Sequence, residues 1–305
     1  YNIYIFYIYI ILLYYHIMDV LKLFIIGNGF VGKATQILKS NGVQIKTYDI
    51  NPELCNPIGT KLEDCIDSDI IFISVPTPMS ENGSCYLGII EEVVNDLKKI
   101  INLNETLVVL RSTVTPNTCD NLNLYFMPEF LTETNYEEDF INNDNWIFGL
   151  KNKKDAEVQN KLFTEKIITL INTCYNNNKI KFNKLKFLKN KEAEMIKLFR
   201  NNFLAMKVGF CNEIYEYCNL KGINYNNIIN IAAGDSRIGL SHTMVPGPDT
   251  KMGFGGTCFP KDISNTLYDM NNINMNSYIL KACIERNDNV DRISKDWKDK
   301  GRSVI

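Results

Sequence analysis

A short apolar run, Leu21-Lys22-Leu23-Phe24-Ile25-Ile26, passes directly into Gly27-Asn28-Gly29-Phe30-Val31-Gly32 and then into a stretch of helical composition through Lys39. A run of this kind suits a strand buried in a parallel sheet. Glycines at G-x-G-x-x-G spacing between a strand and a helix let a diphosphate approach the backbone and rest on the helix N-terminus. The next strand, predicted over Val43–Tyr48, ends at Asp49, which stands 20 positions beyond Gly29. That is the spacing at which a carboxylate meets the adenosine ribose hydroxyls. An acidic side chain there repels a 2′-phosphate, so the residues favour NAD over NADP. The glycine triplet alone is a weak signal. With strand, helix and carboxylate all in place, a glycine-rich turn in a non-binding α/β domain is the poorer account.

The same alternation continues. Asp69–Val75 is apolar and ends at Val75-Pro76-Thr77-Pro78, Glu91–Ile101 has helical spacing, and Thr106–Leu110 ends at Arg111-Ser112-Thr113. Leu124–Met127 and Trp146–Leu150 complete the strand-like series. The pattern predicts an α/β fold built on a Rossmann-like, doubly wound parallel sheet. Ligands of such sheets gather beyond the carboxyl ends of the strands, where Val75–Pro78, Ser112-Thr113 and Pro128-Glu129 fall.

A second constellation lies far downstream, in Gly253-Phe254-Gly255-Gly256-Thr257-Cys258-Phe259-Pro260-Lys261-Asp262. Glycines ahead of the cysteine leave a ligand room to reach the sulfur. A helix starting near Phe259-Pro260 puts Cys258 at its N-terminus, where the dipole favours a thiolate. Asp262 then lies one turn on, on the same face. A buried thiol after a turn is the plain alternative, and the flanking Gly-Gly, Lys and Asp weigh against it. Upstream, Lys189 to about Leu220 has few breakers and apolar residues at helical intervals, so one long helix is expected, of the kind that links domains or builds a dimer. Within it Glu194, Lys197 and Asn201 share a polar face, for which a solvated stripe is the competing reading.

Composition narrows the class. A chain of 305 residues with 45% hydrophobic side chains can bury a core in each of about two domains. The net charge of −2 gives no reason to expect nucleic acid or a membrane surface as partner. Nine cysteines without C-x-x-C pairs, beside two histidines, suggest reduced thiols, a cytoplasmic setting and no metal site. Residues 1–17, YNIYIFYIYIILLYYHI, are apolar throughout but lack a basic flank and a cleavage site. They are expected to be upstream, non-native sequence with translation starting at Met18, a membrane anchor being the lesser alternative.

Taken in order, the motifs resemble those of the UDP-glucose/GDP-mannose dehydrogenases. They are Gly27–Gly32; Val75-Pro76-Thr77-Pro78; Ser112-Thr113-Val114 with Pro116; Pro128-Glu129-Phe130-Leu131-Thr132-Glu133 with Asp139; Ala193-Glu194 through Lys197, Asn201 and Phe203-Leu204-Ala205; Asn212-Glu213; Asp235-Ser236-Arg237-Ile238-Gly239; and Gly253–Asp262. The resemblance runs from Met18 to about residue 290. It implies a NAD-binding domain over 18–185, a helical central and dimerisation domain over 186–305, and a homodimer formed through the helix at 189–220.

The resemblance also implies a four-electron oxidation of a nucleotide sugar's C6 alcohol to the carboxylate with two NAD. Cys258 holds the intermediate first as a thiohemiacetal and then as a thioester. Lys197 and Asn201 match residues that stabilise charge on the C6 oxygen, and Asp262 and Thr113 match residues at a proton-relaying water. Glu129 matches a glutamate that assists acid–base chemistry or thioester hydrolysis, and Glu129, Phe130, Leu131, Thr132 and Glu133 a sugar-binding loop. Arg237 matches an arginine that reaches substrate in the partner subunit, and Gly255 falls in the substrate site. Lys261 matches a cofactor contact, as do Val75, Pro76, Thr77, Thr113 and Glu133 beside Gly27–Gly32 and Asp49. UDP-glucose is the expected substrate, with GDP-mannose or a UDP-N-acetylhexosamine as the alternative. A non-catalytic NAD-binding dimer, or a two-electron 3-hydroxyacid or phosphogluconate dehydrogenase, needs no such cysteine motif.

The sequence departs from the family in three places. Met127 stands where Asn usually precedes Pro-Glu-Phe, Leu240–Met252 looks longer than usual, and no third, UDP-binding domain follows before Ile305. A short natural form and a truncated gene model both fit the last point.

Overall fold

The computed structural model describes residues 20–153, 155–299 and 304–305, so the expectations for residues 1–17 and Met18 lie outside the described residues. The chain forms two compact units. The first comprises residues through Val75 with Glu92–Ser112 and Cys119–Ala193, and the second comprises Pro76–Glu91, Thr113–Thr118 and Glu194 onward. Two short segments, 76–91 and 113–118, thus group with the helical second unit, whereas a single cut after residue 185 would leave them with the sheet.

In the first unit the strands are β1 (Leu21–Ile26), β2 (Val43–Tyr48), β3 (Ile70–Ile73), β4 (Leu107–Leu110), β5 (Tyr125–Phe126), β6 (Trp146–Leu150) and β7 (Leu185–Lys189). They form one sheet of order β2-β1-β3-β4-β5-β6-β7. The central β3 and β4, IIFI and LVVL, are buried at every position, because helices cover both faces of a parallel sheet. The edge strand β2 reads VQIKTY and alternates, since one of its faces meets water.

Five strands, β1 to β5, are parallel, but β6 pairs antiparallel with β5 and β7 runs parallel to β6. The sheet is therefore mostly parallel, with a reversed pair at one side. A parallel return needs a crossover helix packed on the sheet. The link from β5 to β6 holds only the six-residue helix Tyr136–Ile141.

The helix Glu157–Asn176 covers the sheet with Phe163, Ile167, Leu170, Ile171 and Cys174, the three-and-four spacing of one helical face. Phe163 stacks on Tyr125 with centroids 3.8 Å apart. Just past β6, Lys151 is 3% exposed; its Nζ donates to Gln159 Oε1 at 2.8 Å and lies 4.6 Å from the Tyr125 ring centre. Burial, with Lys153 adding to it, pushes this ammonium down to about 8.

The second unit is helical. One helix, Asn190–Lys221, begins in the first unit and runs for 32 residues into the second, matching the expected span to within a residue at each end. Tyr225–Ala232 follows, capped by the Asn224 side chain, which accepts from Asn226 N and Asn227 N. Phe259–Asn272 and Ile279–Arg286 complete the helices, and a π-helical turn occupies Asn287–Asp291. Ala205, Phe254, Ile263 and Leu280 form one core here, and Cys211, Cys218, Tyr225 and Val245 another. All nine cysteines are free thiols. Among the described residues no helix is long and apolar enough to cross a membrane.

Candidate active site

Cys258 is the N-cap of the helix Phe259–Asn272, as expected from the sequence, and Pro260 follows in its first turn. Pro suits that turn because the amide it lacks would have no helical partner. Asp262 N donates to Cys258 O at 2.9 Å, the bond that closes the turn. The Asp262 carboxylate, 1% exposed, is held from two sides. Lys261 Nζ reaches Oδ1 at 2.6 Å, and Asn201 Nδ2 donates to Oδ2 at 2.6 Å. Burial opposes the charge on Lys261, but Asp262, Cys85 and Cys258 outweigh it and hold the ammonium above the ordinary lysine range.

The long helix contributes the opposite wall. Lys197 and Asn201 are 3% and 8% exposed, so this polar face is buried and not a solvated stripe. Glu194, fully buried one turn before Lys197, accepts from Asn117 N at 2.7 Å. That bond fixes the segment carrying Thr113. The Thr113 carbonyl in turn accepts from Thr77 Oγ1 at 2.9 Å and from Cys85 Sγ at 3.6 Å. Cys85 N donates to Asn265 Oδ1 at 3.1 Å, which ties the segment back to the cysteine helix. Burial raises the Cys85 thiol above its ordinary range, with Lys261 pulling the other way. The second unit by itself therefore gathers Cys258, Lys261, Asp262, Asn201, Thr77 and Thr113.

Two members of this cluster were not foreseen. Asn265 lies two turns from Cys258 on one helix and was legible as a facing position. Cys85 had no local signal, since its bonded partners Thr113 and Asn265 are 28 and 180 residues away in the chain. Arg237, by contrast, pairs with Asp235 at 2.5 Å, and its side chain is 87% exposed.

The first unit holds the glycine loop. A Cβ on Gly27 would stand 2.6 Å from Ser74 O, and one on Gly32 would stand 2.0 Å from Gly27 O, so both positions exclude any larger residue. A Cβ on Gly29 would meet nothing within 4 Å, and no side chain caps the helix Phe30–Gln36 that starts there. Asp49 ends β2 and accepts from Asn28 N at 2.7 Å and Asn51 N at 2.9 Å. The Asn28 side chain donates to Leu54 O at 2.6 Å and accepts from Gln36 at 2.6 Å. Open space over an uncapped helix start, with a carboxylate at the next strand end, fits a dinucleotide.

Also in this unit, Val75 O accepts from Ser112 Oγ at 2.6 Å. Glu129 is 6% exposed and accepts from Leu131 N at 2.8 Å, while Thr132 N donates to Asp139 at 2.7 Å, so the 129–133 loop is internally pinned. Phe130 and the exposed Glu133 belong to the same loop. Arg111, 2% exposed, donates to Val31 O at 3.2 Å and to Thr35 Oγ1. Burial pushes its guanidinium down to about 10 against the pull of Glu129, which leaves it charged at neutral pH.

The family model for the NAD binding domain of the UDP-glucose/GDP-mannose dehydrogenase family matches residues 58–167, and that for its central domain matches residues 191–289. UDP-glucose 6-dehydrogenase of Rickettsia bellii is 32% identical over 243 residues, covering 74% of this chain and 50% of the relative. UDP-glucose 6-dehydrogenase YwqF of Bacillus subtilis is 30% identical over 236 residues, covering 73% and 49%. The chain thus spans about half the length of these relatives. The structure of a UDP-glucose dehydrogenase from Pyrobaculum islandicum has the same fold, with a TM-score of 0.73 at 24% identity over 88% of this chain and 68% of that one. A UDP-D-ManNAc dehydrogenase from Pyrococcus horikoshii aligns with a TM-score of 0.67 at 20% identity, covering the same shares of the two chains.

Proposed function

Because the chain belongs to the UDP-glucose/GDP-mannose dehydrogenase family, we propose that it oxidises the C6 alcohol of a nucleotide sugar to the carboxylate, with UDP-glucose as substrate. The observation that carries this reading is the buried cluster around Cys258, in which a cation and an amide both bond one carboxylate at a helix N-terminus. A protein that only bound a dinucleotide would have no use for it, and burying such charged groups is costly even when they are paired.

Gly27, Asn28, Gly29, Phe30, Val31, Gly32 and Asp49 hold NAD in this reading, with Val75, Pro76, Thr77, Thr113, Glu133 and Lys261 as further contacts. Bound NAD supplies the hydride acceptor for each of two oxidations. The chain's own part is to keep the intermediate. Cys258 Sγ adds to the C6 aldehyde carbon as a thiohemiacetal, whose oxidation leaves a thioester, and water then cleaves the C–S bond to give the acid and free the thiol. One alcohol, one water and two acceptors give one carboxylate, two reduced acceptors and three protons. Lys197 and Asn201 stabilise charge on the C6 oxygen. Asp262 and Thr113 hold a water that relays protons, and Glu129 assists acid–base chemistry or thioester hydrolysis. The 129–133 loop, Arg237 and Gly255 contact substrate. These roles rest on the motifs.

A homodimer through the long helix belongs to the same reading. Phe199, Phe203 and Phe210 are 63%, 53% and 65% exposed along it, and Phe199 and Phe203 stack at 6.3 Å. Beside them lies an apolar groove of about 370 Å³ lined by Met206, Met270 and Leu280. The experiment counts NADH formed per sugar consumed with UDP-glucose, GDP-mannose and UDP-N-acetylmannosamine. Two per sugar with UDP-glucose is the expected result. One per sugar would replace the cysteine scheme by a simple alcohol oxidation, and no turnover with any of them would leave a binding protein. Cys258→Ser is expected to abolish acid formation and leave NAD affinity unchanged, and normal acid production by that variant would sink the covalent scheme.

A further inference from the structure

The glycine run ahead of Cys258 has neither a sheet ladder nor a helix to hold its backbone, yet two asparagines from separate elements hold consecutive amides of it. Asn212, on the long helix, is 2% exposed. Its Nδ2 donates to Val208 O at 2.8 Å, and its Oδ1 accepts from Gly253 N at 2.9 Å. Asn287, at the start of the π-helical turn, is 1% exposed and takes both polar groups of Phe254. Its Oδ1 accepts from Phe254 N at 2.8 Å, and its Nδ2 donates to Phe254 O at 3.1 Å.

Arg292 extends the hold to the next residue. Its backbone N donates to Asn287 O at 2.8 Å, and the side chain is locked by Asp296 at 2.6 Å and by Asp249 at 2.6 Å. The fixed guanidinium fills the space over Gly255, where a Cβ would stand 2.4 Å from Arg292 Cζ. Three consecutive residues, 253 to 255, are thereby fixed, and Cys258 follows three residues later. A segment with Gly at 253, 255 and 256 would otherwise have wide backbone freedom, because glycine restricts φ least.

We propose that Asn212, Asn287 and Arg292 are positioning residues for Cys258, which touch no reacting atom and set where the sulfur stands by holding the Gly253–Gly255 backbone. This rests on the reading of Cys258 as nucleophile. A displacement of about 1 Å at a reacting group is enough to cost about 100-fold in rate. The effect belongs in kcat and not in KM, because the groups that bind substrate are left in place.

The test is carried out on the full chain with two readouts. One is steady-state kinetics on the nucleotide sugar that is turned over. The other is the rate of iodoacetamide modification at each cysteine, resolved by peptide mass spectrometry, which needs no substrate. Asn287→Ala is expected to lower kcat by about 10- to 100-fold with KM within about three-fold. It should change the Cys258 modification rate by at least about five-fold while Cys283, the other half-buried thiol outside the cluster, keeps its rate. Gly255→Ala, a second probe should Asn287→Ala fail to fold, is expected to lower kcat and change the Cys258 modification rate likewise, and its KM is no part of the test because the proposed reading sets Gly255 against substrate. Adding Arg292→Ala to Gly255→Ala should then be no worse than Arg292→Ala alone, because the clash is removed. Wild-type kcat and wild-type Cys258 reactivity in a folded Asn287→Ala or Gly255→Ala would overturn the proposal, as would additive losses in the double variant. If no nucleotide sugar is turned over, the modification rates still decide it, and only the functional reading fails.

Discussion

Removing the charge of Asp262 while keeping its shape isolates what the buried pair contributes. In Asp262→Asn the Lys261 side chain, 12% exposed, keeps its ammonium and loses the carboxylate 2.6 Å away. Deleting one partner of a buried pair costs about 3–5 kcal/mol, and the residual exposure of Lys261 places this case near about 3. At about 2–4 °C per kcal/mol for a unit of this size, the melting transition falls by about 6–12 °C. The pH dependence supplies a second sign. In the native chain Lys261 is held above its ordinary range, so its contribution is complete below the unfolded value of about 10.4 and is lost as pH rises through the folded value. Without Asp262, burial dominates and the folded value drops below about 10.4, so the variant gains stability as pH rises toward that figure. The gap between native and variant should be widest near neutrality and narrow as pH rises toward about 10.4. Calorimetric melting across that range measures both. A variant that melts within about 2 °C of native at neutral pH, or a gap that stays constant with pH, would refute the reasoning.

Gly32→Ala forces a methyl to within 2.0 Å of Gly27 O, a backbone atom that cannot step aside. It should destabilise the first unit by about 1–3 kcal/mol and weaken NAD binding at least about ten-fold by calorimetric titration, and an unchanged Kd would count against the loop as the cofactor cradle. Lys151, with burial pushing it down to about 8, withholds stability at neutral pH that returns as pH rises from about 8 to the unfolded value of about 10.4. Lys151→Met should lose that rise and melt no lower than native at neutral pH; an unaltered stability profile would show that this ammonium is not the group responsible.

Strands β1, β2 and β6 and the long helix follow from apolar runs and helical spacing, because burial writes those periods into neighbouring residues. Strand β7, LKFLK, escaped notice because its lysines break the apolar run and its residues are only half-buried or exposed. The reversal of β6 and β7 escaped too, since strand direction depends on how a connection packs and leaves no mark in the strand itself. The cysteine helix was legible from Pro260 and the glycines. Its surroundings were less so: Cys85 and Asn287 reach the site or its supporting loop through bonds spanning 180 and 33 residues, Arg292 packs over Gly255 from beyond them, and no sequence period encodes such contacts.

The carboxylate of Asp262 has a consequence for how kinetic data on this chain are interpreted. Its two oxygens are shared between a side chain of its own helix and one from the long helix, so Lys261, Asp262 and Asn201 form a thermodynamically coupled trio. On the proposed reading, in which Asn201 also donates to the sugar's oxygen, rate lost on truncating Asn201 is the sum of two effects: that missing donor, and a carboxylate released to reorient toward Lys261. A double-mutant cycle between positions 201 and 262 separates them, and its coupling energy measures how far the trio acts as one group.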